Sequence, residues 1–292
     1  MNPAQGWFGE LLARRPVITD GAWGTELQAA GLPLGAFPEA WNLSQPERVL
    51  AVARAYVAAG SRVILTNTFS ANRIRLAETD LVSRVAEINR EGVRLSREAA
   101  GGRVRVFASI GPTGRLLLDG SVSEEALREA FDEQARALAE AGADALVIET
   151  MSDLAEAEIA VRAAKATGLP VVACMAFDSG REKDRTMMGV TPEQAAAALE
   201  AAGADVIGAN CGQGIERFAA LARRLRAASA RPIWLKPNAG LPVLVEGRPV
   251  YRQTPEAFAE KALELATAGA DFIGGCCGTR PDFIRALCQR FA

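Results

Sequence analysis

The sequence contains no histidine among its 292 residues. This absence excludes the Ser-His-Asp triad and the Cys-His pair, because both need an imidazole as the general base. It also excludes every zinc site that uses imidazole ligands, so a metal in this protein would have to be bound by sulfur and oxygen atoms. The residues that can carry chemistry are therefore the cysteines, the carboxylates and the lysines.

Long apolar runs and clusters of one charge are also missing. No stretch approaches the roughly 18 consecutive apolar residues that a membrane-spanning helix needs. Residues 1–10 lack the basic-then-apolar pattern of a secretory signal. The formal net charge is −2, and no run of Lys and Arg indicates a nucleic-acid or membrane-surface partner. We therefore predict a soluble, cytoplasmic protein that binds neither nucleic acid nor membrane.

What the sequence does contain is one pattern repeated eight times. A short apolar run is followed by a turn and then by a helical stretch rich in Ala, Leu, Glu and Arg. The runs lie at residues 16–20, 62–66, 104–110, 145–149, 170–177, 206–210, 232–236 and 272–275. Continuous apolar strands are typical of parallel sheets buried on both faces. Eight strand–helix units predict an α/β fold, a single (β/α)8 TIM barrel domain over residues 1–292.

An open doubly wound sheet is the alternative fold, but no G-x-G-x-x-G follows the first run. Between the runs, amphipathic helices are predicted over stretches such as residues 46–59, 123–141 and 255–268. Residues 238–253 are long for a barrel loop and predict a small hairpin around Glu246 and Gly247. In a barrel, functional residues lie at the carboxyl ends of the strands, and polar residues of this chain do follow the apolar runs.

Three of the five cysteines lie at such strand ends. Cys211 ends the sixth run, and Cys276 and Cys277 follow the eighth. The ends of these two strands face the same mouth of a barrel, so three thiolates could converge there. Adjacent residues on a strand face opposite ways, so Cys276 and Cys277 can share a ligand only if the backbone bends. The flanking glycines at positions 274, 275 and 278 permit such a bend.

Three protein ligands with one open position are typical of a catalytic zinc site. Sulfur ligands favour zinc over magnesium or manganese, and the open position would bind a substrate thiol as its thiolate. Two other interpretations are buried structural cysteines and a reversible Cys276–Cys277 disulfide. Cys174, inside the fifth run, and Cys288, in the last helix, are assigned to packing.

Several motifs together resemble the homocysteine S-methyltransferase family, over about residues 17–284. The family includes the homocysteine-binding module of cobalamin-dependent methionine synthase, and the betaine and S-methylmethionine enzymes. The matching motifs are Asp-Gly-Ala-Trp-Gly-Thr at 20–25, Thr-Asn-Thr-Phe at 66–69, Ser-Ile-Gly-Pro at 109–112, Glu-Thr-Met-Ser-Asp at 149–153, Asn-Cys at 210–211, Pro-Asn-Ala-Gly at 237–240 and Gly-Gly-Cys-Cys-Gly-Thr at 274–279. The last motif combined with Asn-Cys is highly specific, whereas Asp-Gly alone would be weak.

The resemblance implies a (β/α)8 barrel with one catalytic Zn²⁺ on Cys211, Cys276 and Cys277. It implies methylation of homocysteine to methionine. By the same resemblance, Asp20 and Glu149 match carboxylates that hold the amino group of homocysteine, and Gly21 and Thr68 match positions near its carboxylate. Asn210 is also predicted to be a substrate-binding residue. Asn210 and Asn238 are expected to support the site by hydrogen bonds, although turn formation explains asparagines nearly as well. Asp20 alone could equally be a helix or turn cap.

The methyl donor is left open by the sequence. The first two motifs look closer to cobalamin-dependent methionine synthase, yet no folate or cobalamin module accompanies the barrel. The donor would be a separate corrinoid protein, or a small molecule such as S-methylmethionine, S-adenosylmethionine or betaine. Trp23, Phe69 and Trp41 could form an aromatic wall for a cationic donor, although ordinary packing is favoured.

Three other functions compete with this one. The acceptor could be a different thiol or selenol, because a zinc–thiolate site does not itself select the carbon chain. The barrel could bind zinc or thiols without catalysis. Finally, Lys236 ends the seventh run, where a barrel lysine could form the Schiff base of an aldolase. That reading leaves the three cysteines without a role and is the least favoured.

Overall fold

The computed structural model describes residues 3–245 and 248–292. Ten strands lie in this part of the chain, and eight of them form one parallel sheet. In chain order the strands are β1 Val17–Ile18, β2 Val63–Ile64, β3 Arg105–Ile110, β4 Ala145–Met151, β5 Val171–Met175, β6 Val206–Gly214, β7 Ile233–Asn238, β8 Val243–Val245, β9 Arg248–Val250 and β10 Phe272–Ile273.

The parallel strands curve into a nearly closed barrel. Their order is β1-β10-β7-β6-β5-β4-β3-β2, and a parallel bridge between Thr19 and Val63 brings the first and last strands of that order together. Each of the eight predicted apolar runs coincides with one barrel strand. The prediction of a (β/α)8 barrel is confirmed.

Helices surround the barrel. Their bounds are α1 Pro3–Leu12, α2 Trp23–Ala29, α3 Trp41–Ser44, α4 Pro46–Ala59, α5 Val85–Ala100, α6 Glu124–Glu140, α7 Leu154–Lys165, α8 Pro192–Ala202, α9 Phe218–Ala228, α10 Pro255–Thr267 and α11 Pro281–Arg290. The three helices predicted by example correspond to α4, α6 and α10. Ser123 and Thr254 cap α6 and α10 by accepting backbone N–H groups, which fixes where these helices begin. Within the described ranges, no helix is both long and apolar enough to cross a membrane.

The lower interior of the barrel is filled by side chains that point inward from the strands. We call this group the apolar layer; its members include Phe107, Val147, Cys174, Trp234 and Phe272. The Trp234 ring lies 6.0 Å from Phe107 and 5.1 Å from Phe272. Such close aromatic packing makes this end a solid core, so that a ligand can enter only from the opposite end.

A two-stranded antiparallel ribbon interrupts the connection from β7 to α10. Val243 pairs with Val250 and Val245 with Arg248, so the hairpin predicted in this segment is present. Its expected turn residues, Glu246 and Gly247, lie outside the described residues. The ribbon is followed by Tyr251, whose ring packs against Gly278 and brings this connection beside the cysteines.

Candidate functional site

A ring of polar side chains lies directly above the apolar layer. We call it the polar layer and define it as Ser109, Glu149, Asn210, Lys236 and Cys276. On β3, β4 and β7, each member of the polar layer lies two residues after a member of the apolar layer. Because side chains alternate along a strand, the two residues of each pair both point into the barrel. Ser109, Glu149, Asn210 and Lys236 are all buried. The carboxyl ends of the strands thus carry the chemistry, as the barrel fold predicts.

Three sulfur atoms meet at the edge of this layer. Cys211 Sγ lies 3.9 Å from Cys277 Sγ, and Cys276 Sγ lies 4.0 Å from Cys277 Sγ. All three sulfurs are within 4.8 Å of one another. A tetrahedral zinc ion with bonds of about 2.3 Å would hold its sulfur ligands roughly 3.8 Å apart. The spacing of the three thiols therefore fits a tetrahedral metal ion with one position left for a further ligand.

The backbone bends at both cysteine motifs. Cys211 has a positive φ of 60°, and the pairing of β6 with β7 shifts register between Asn210 and Gly214. At the other motif, Thr279 N–H donates to Cys276 O at 3.1 Å, which closes a turn. Gly278 occupies the third position of that turn with φ 80°, a conformation that favours glycine. The predicted bend is present, and Gly278 is the glycine whose conformation makes it.

Gly274 and Gly275 serve a different purpose from the one expected. A Cβ atom on Gly274 would lie 2.0 Å from Thr19 Oγ1, and one on Gly275 would lie 2.2 Å from Thr279 Oγ1. Neither residue has a positive φ. These two glycines are required by close packing of the chain after β10 against its neighbours, and they contribute no bend.

Two asparagines support the cysteines. Asn210 Oδ1 accepts the Thr150 N–H at 2.7 Å, and its Nδ2 donates to Thr150 Oγ1 at 2.7 Å and faces Cys276 Sγ at 3.9 Å. Asn238 Oδ1 accepts the Cys277 N–H at 3.0 Å. These contacts fix the direction of the turn and of the Cys276 thiol, as the hydrogen-bonding role predicted for both residues requires.

The three thiols share protons. Hydrogen bonds from Cys276 and Cys277 lower the pKa of Cys211 to about 3. The same hydrogen bond to Cys211 raises the pKa of Cys277 to about 12, and the pKa of Cys276 is raised for the same reason. The three thiols thus titrate as a group. A divalent cation bound among them would displace their protons.

Glu149 lies near the sulfurs, since its Oε2 and Cys276 Sγ both face Asn210 Nδ2. Its Oε1 accepts the Ser109 hydroxyl at 2.5 Å, and its Oε2 faces Asn210 Nδ2 at 3.4 Å. Burial raises the pKa of Glu149, an effect that Lys236 and the Ser109 hydrogen bond oppose without cancelling. The second oxygen is only weakly occupied, so it can accept a strong hydrogen bond from a ligand.

Asp20 and Lys236 form an ion pair inside the barrel. Asp20 Oδ1 lies 2.5 Å from Lys236 Nζ, and Oδ2 accepts both Trp23 Nε1–H at 2.7 Å and the Leu65 N–H at 2.6 Å. Burial acts to lower the pKa of Lys236, but Asp20 and Glu149 outweigh it and the net shift is upward. A Schiff-base lysine must be an unprotonated amine, so this pairing argues against the aldolase alternative.

A cavity of about 380 Å³ opens above the polar layer. Gly21, Glu149 and the three clustered cysteines line it, together with Lys236. Asp20, Thr68 and Asn210 are not among its lining residues, and the Thr68 hydroxyl is engaged by Ser109 O at 2.7 Å and Thr66 Oγ1 at 2.6 Å. Direct substrate contacts by these three residues stay predictions.

Of the aromatic side chains considered above, two reach the cavity. Trp23 and Phe69 line it, whereas Trp41 instead carries the Arg48 guanidinium 5.0 Å from its ring centre. Two of the three predicted aromatic residues therefore lie in the cavity wall, in the segments that follow β1 and β2.

Some residues of the site were not singled out from the sequence. Ser109 orients Glu149, and Thr150 takes a positive φ of 62° to hold Asn210. Both belong to motifs named in the sequence analysis, so those motifs could have identified them as site residues. Tyr251 hydrogen-bonds with Cys277 and follows the β8–β9 ribbon. No local pattern marks Tyr251, because its contact depends on how the ribbon folds back.

Comparison with known proteins agrees with this site. The chain is 33 % identical to methionine synthase of Mycobacterium tuberculosis and 32 % identical to that of Mycobacterium leprae, with 97 % of this chain aligned. It spans about a quarter of the length of those two relatives. Among solved structures, the metallated form of the homocysteine methyltransferase MmuM from Escherichia coli superposes with a TM-score of 0.80.

That superposition covers 96 % of this chain and 98 % of MmuM at 26 % identity. The oxidised form of the same enzyme gives a TM-score of 0.81 at 25 % identity. A sequence model described as homocysteine S-methyltransferase matches residues 17–291, which is nearly the whole chain and includes all three clustered cysteines. The chain belongs to the homocysteine S-methyltransferase family.

Proposed function

We propose that residues 1–292 form one homocysteine-binding domain that methylates the thiolate of L-homocysteine to give methionine. The observation that carries the proposal is the cluster of Cys211, Cys276 and Cys277, whose sulfurs are spaced for a tetrahedral ion. The names of the relatives, homocysteine methyltransferase and methionine synthase, agree with this reaction.

Zinc is the metal that this donor set favours. Three thiolates are soft ligands, and within the described residues no histidine or carboxylate joins the cluster. MmuM has been solved in a metallated form, which supports the binding of a metal by this chain. A zinc ion held by the three thiolates would supply an open position at which a substrate thiol loses its proton. Free cysteines of this kind also suit the reducing cytoplasm, where we place the protein.

The residues around the cluster would orient homocysteine. Glu149 Oε2 can accept the substrate ammonium, since Ser109 already holds the other oxygen. Gly21 lies in the cavity wall, where its backbone would face the amino acid; close packing requires a glycine there, because a Cβ would lie 2.3 Å from Thr279 O. Asn210 and Asn238 keep the cysteine motifs in place. Asp20 does not line the cavity and would orient two residues that do, Lys236 and Trp23, by hydrogen bonds.

The reaction would be a direct displacement. The lone pair of the homocysteine sulfur forms the new S–CH3 bond while the bond between the methyl group and the donor breaks, and that electron pair leaves with the donor. A bound zinc ion would let the thiol release its proton to solvent before this step, so no side chain has to act as a general base. A chain without histidine can therefore carry out the reaction.

The donor must approach from the same mouth, because the apolar layer closes the other end. Trp23 and Phe69 flank that approach and offer π faces to a small sulfonium or ammonium donor. A separate corrinoid protein would have to dock over the mouth. The relatives named methionine synthase, of which this chain spans about a quarter, keep the corrinoid route open.

The proposal is tested by zinc content and methyl transfer. Purified protein should hold one zinc per chain and convert homocysteine to methionine with one donor among S-methylmethionine, S-adenosylmethionine, betaine and methylcobalamin. Cys211→Ser should lose both properties, while Cys288→Ser, on α11 away from the cluster, should keep them. Zinc without transfer from any donor would support a zinc-binding barrel. Transfer to other thiols but not to homocysteine would support thiol methylation but refute homocysteine as the acceptor.

A further inference from the structure

We propose that Glu39 neutralises the positive charge of a small onium methyl donor, a sulfonium or a quaternary ammonium ion, bound beside Trp23 and Phe69. The inference rests on the proposed function and deepens it, because it selects one class of donor for the same cavity. It makes Glu39 a residue that determines donor specificity, although none of the sequence motifs contains it.

Glu39 is a buried carboxylate with one oxygen left unused. It lies in the short 3-10 helix Pro38–Ala40, is 1 % exposed and lines the cavity. Its Oε1 accepts the Ser70 N–H at 2.6 Å, whereas its buried Oε2 has no hydrogen-bond partner among the described residues. Of the described residues that line the cavity, Glu39 alone has a buried side-chain oxygen or nitrogen without a partner. Such an atom is costly to the fold until a ligand engages it.

A cation is the ligand that this carboxylate lacks. Burial raises the pKa of Glu39, and hydrogen bonds with Ser70 and the charge of Arg75 oppose that rise without cancelling it. The neighbours of Glu39 therefore do not offset the cost of burying its negative charge. A bound cation would offset it, whereas a neutral ligand would only remove more water from the carboxylate.

The rest of the cavity wall supplies no positive charge for Glu39. Besides the cysteines, the charged residues of the described wall are Glu39, Glu149 and Lys236. Lys236 pairs with Asp20 at 2.5 Å and is also attracted by Glu149. The wall thus carries more negative than positive charge, and three thiolates around a divalent ion would add to the excess. A cavity of this kind favours a cationic ligand over a neutral or anionic one.

Two aromatic rings lie on the same side of the cavity. Trp23 follows β1, Phe69 follows β2, and both line the cavity. Phe69 directly precedes Ser70, so the hydrogen bond from Ser70 to Glu39 links this ring to the carboxylate. The Phe69 ring is held by close packing against Gly111, where a Cβ would lie 2.5 Å from Phe69 Cε2. Aromatic faces attract onium ions, whose charge is spread over their methyl groups.

This side of the cavity is also next to the sulfur cluster. In the barrel β1 lies between β2 and β10, and Cys276 and Cys277 follow β10. An onium bound here could place a methyl group before the acceptor sulfur. The new S–CH3 bond would form while the electron pair of the broken bond returns to the donor, which leaves as a neutral molecule. The cavity of about 380 Å³ is near the lower end of the usual range for ligand pockets, so a donor that shares it with homocysteine must be small.

The test compares two probes that have the same shape and differ in charge. Choline has a quaternary nitrogen where 3,3-dimethylbutan-1-ol has a carbon. The zinc-loaded full chain, saturated with L-homocysteine, is titrated calorimetrically with each probe. We expect the wild type to prefer choline by roughly 10- to 100-fold, because the attraction between the charges is only partly offset by their desolvation. In Glu39→Gln the preference should fall to about fivefold or less, the part that the aromatic rings supply.

Glutamine is the matched replacement, because its Oε1 can still accept the Ser70 N–H. Glu39→Gln should therefore bind homocysteine as the wild type does, which also shows that the variant is folded. Glu149→Gln removes the other carboxylate of the wall. At a homocysteine concentration raised to saturate it, this control should keep the wild-type preference for choline.

Three results would contradict the inference. Glu39→Gln could keep the full preference, or it could lose affinity for both probes equally, and in either case Glu39 does not recognise the charge. A wild type that binds homocysteine but shows no preference for choline would also overturn the inference, and would favour a donor presented by a corrinoid protein. A wild type that does not bind homocysteine would instead overturn the proposed function.

Discussion

The apolar layer and the polar layer are built by the same strands, yet they obey different rules. Trp234 and Lys236 both point inward from β7, two residues apart, and so do Val147 and Glu149 on β4. Trp234 and Val147 are fully buried among other apolar side chains. Lys236 and Glu149 are almost as buried, but each needs a specific partner, Asp20 and Ser109 respectively.

The lower layer chiefly stabilises the fold, and the upper layer chiefly provides the groups that would bind ligands. Burial of apolar area stabilises the lower layer without any requirement for direction. In the upper layer, each polar group must find a partner or a ligand, because an unpaired buried charge is costly. Substitutions below should therefore change the free energy of unfolding, and substitutions above should chiefly change metal and substrate binding. Four experiments test whether effects on stability and effects on binding separate in this way.

The largest effect is expected for Trp234→Ala. The indole is fully buried and its Nε1 has no hydrogen-bond partner among the described residues, so the substitution removes packing without breaking a hydrogen bond. We expect the free energy of unfolding of the metal-free protein to fall by about 3–5 kcal/mol, measured by urea denaturation. Trp41→Ala, at a half-buried site, is the matched control and should cost less. Loss of zinc binding in a folded Trp234→Ala protein would show that the layers are not separable.

Cys277→Ala tests the upper layer. We expect the zinc affinity to fall by at least about 100-fold, because a ligand should matter no less than the residues that support it. Competition with a chelator would measure this change. The free energy of unfolding of the metal-free protein should change by less than about 1 kcal/mol, since Cys277 is only partly buried. Cys288→Ala, also partly buried, should leave both quantities unchanged. A large loss of metal-free stability would contradict the division.

Asn210→Ala probes a residue that supports the ligands without being one. The substitution removes the hydrogen bonds to Thr150 and the contact with Cys276. Supporting residues of this kind typically contribute about 10- to 100-fold to metal affinity, and we expect a loss in that range by the same chelator competition. An unchanged affinity would mean that the backbone turn alone fixes the sulfurs.

The sequence predicted the fold and the cysteine cluster because both have local signatures. Eight apolar runs mark the strands, and the Gly-Gly-Cys-Cys-Gly-Thr motif marks the turn that Gly278 makes possible. The ion pair between Asp20 and Lys236 was not predicted. It joins β1 to β7 across 216 positions of sequence, and no periodicity reports such a pairing. The substrate-binding role of Asp20 came from the family resemblance and stays a prediction, whereas Lys236 was considered as a nucleophile without knowledge of its partner.

Glu149→Gln should give the smallest effect on stability, and one of opposite sign to the first. Burial raises the pKa of Glu149 above its ordinary value of 4.5. The folded state therefore holds a proton that the unfolded state has lost, so this contribution to stability is complete below 4.5 and disappears as the pH rises through the folded pKa. Glutamine carries no charge at any pH. The variant should thus lose less stability than the wild type between pH 5 and pH 8, measured by urea denaturation of the metal-free protein.

Glu156→Gln is the matched control for this last experiment. Burial raises the pKa of Glu156 as well, and its carboxylate accepts the Thr113 N–H at 2.7 Å, away from the cavity. Both variants should flatten the pH dependence, but only Glu149→Gln should also weaken homocysteine binding. A carboxylate that lowers stability when it is ionised, and that is nevertheless needed for substrate binding, would be retained for binding and not for stability. If Glu149→Gln lowers stability at pH 8, the polar layer stabilises the barrel much as the apolar layer does, and the division between them fails.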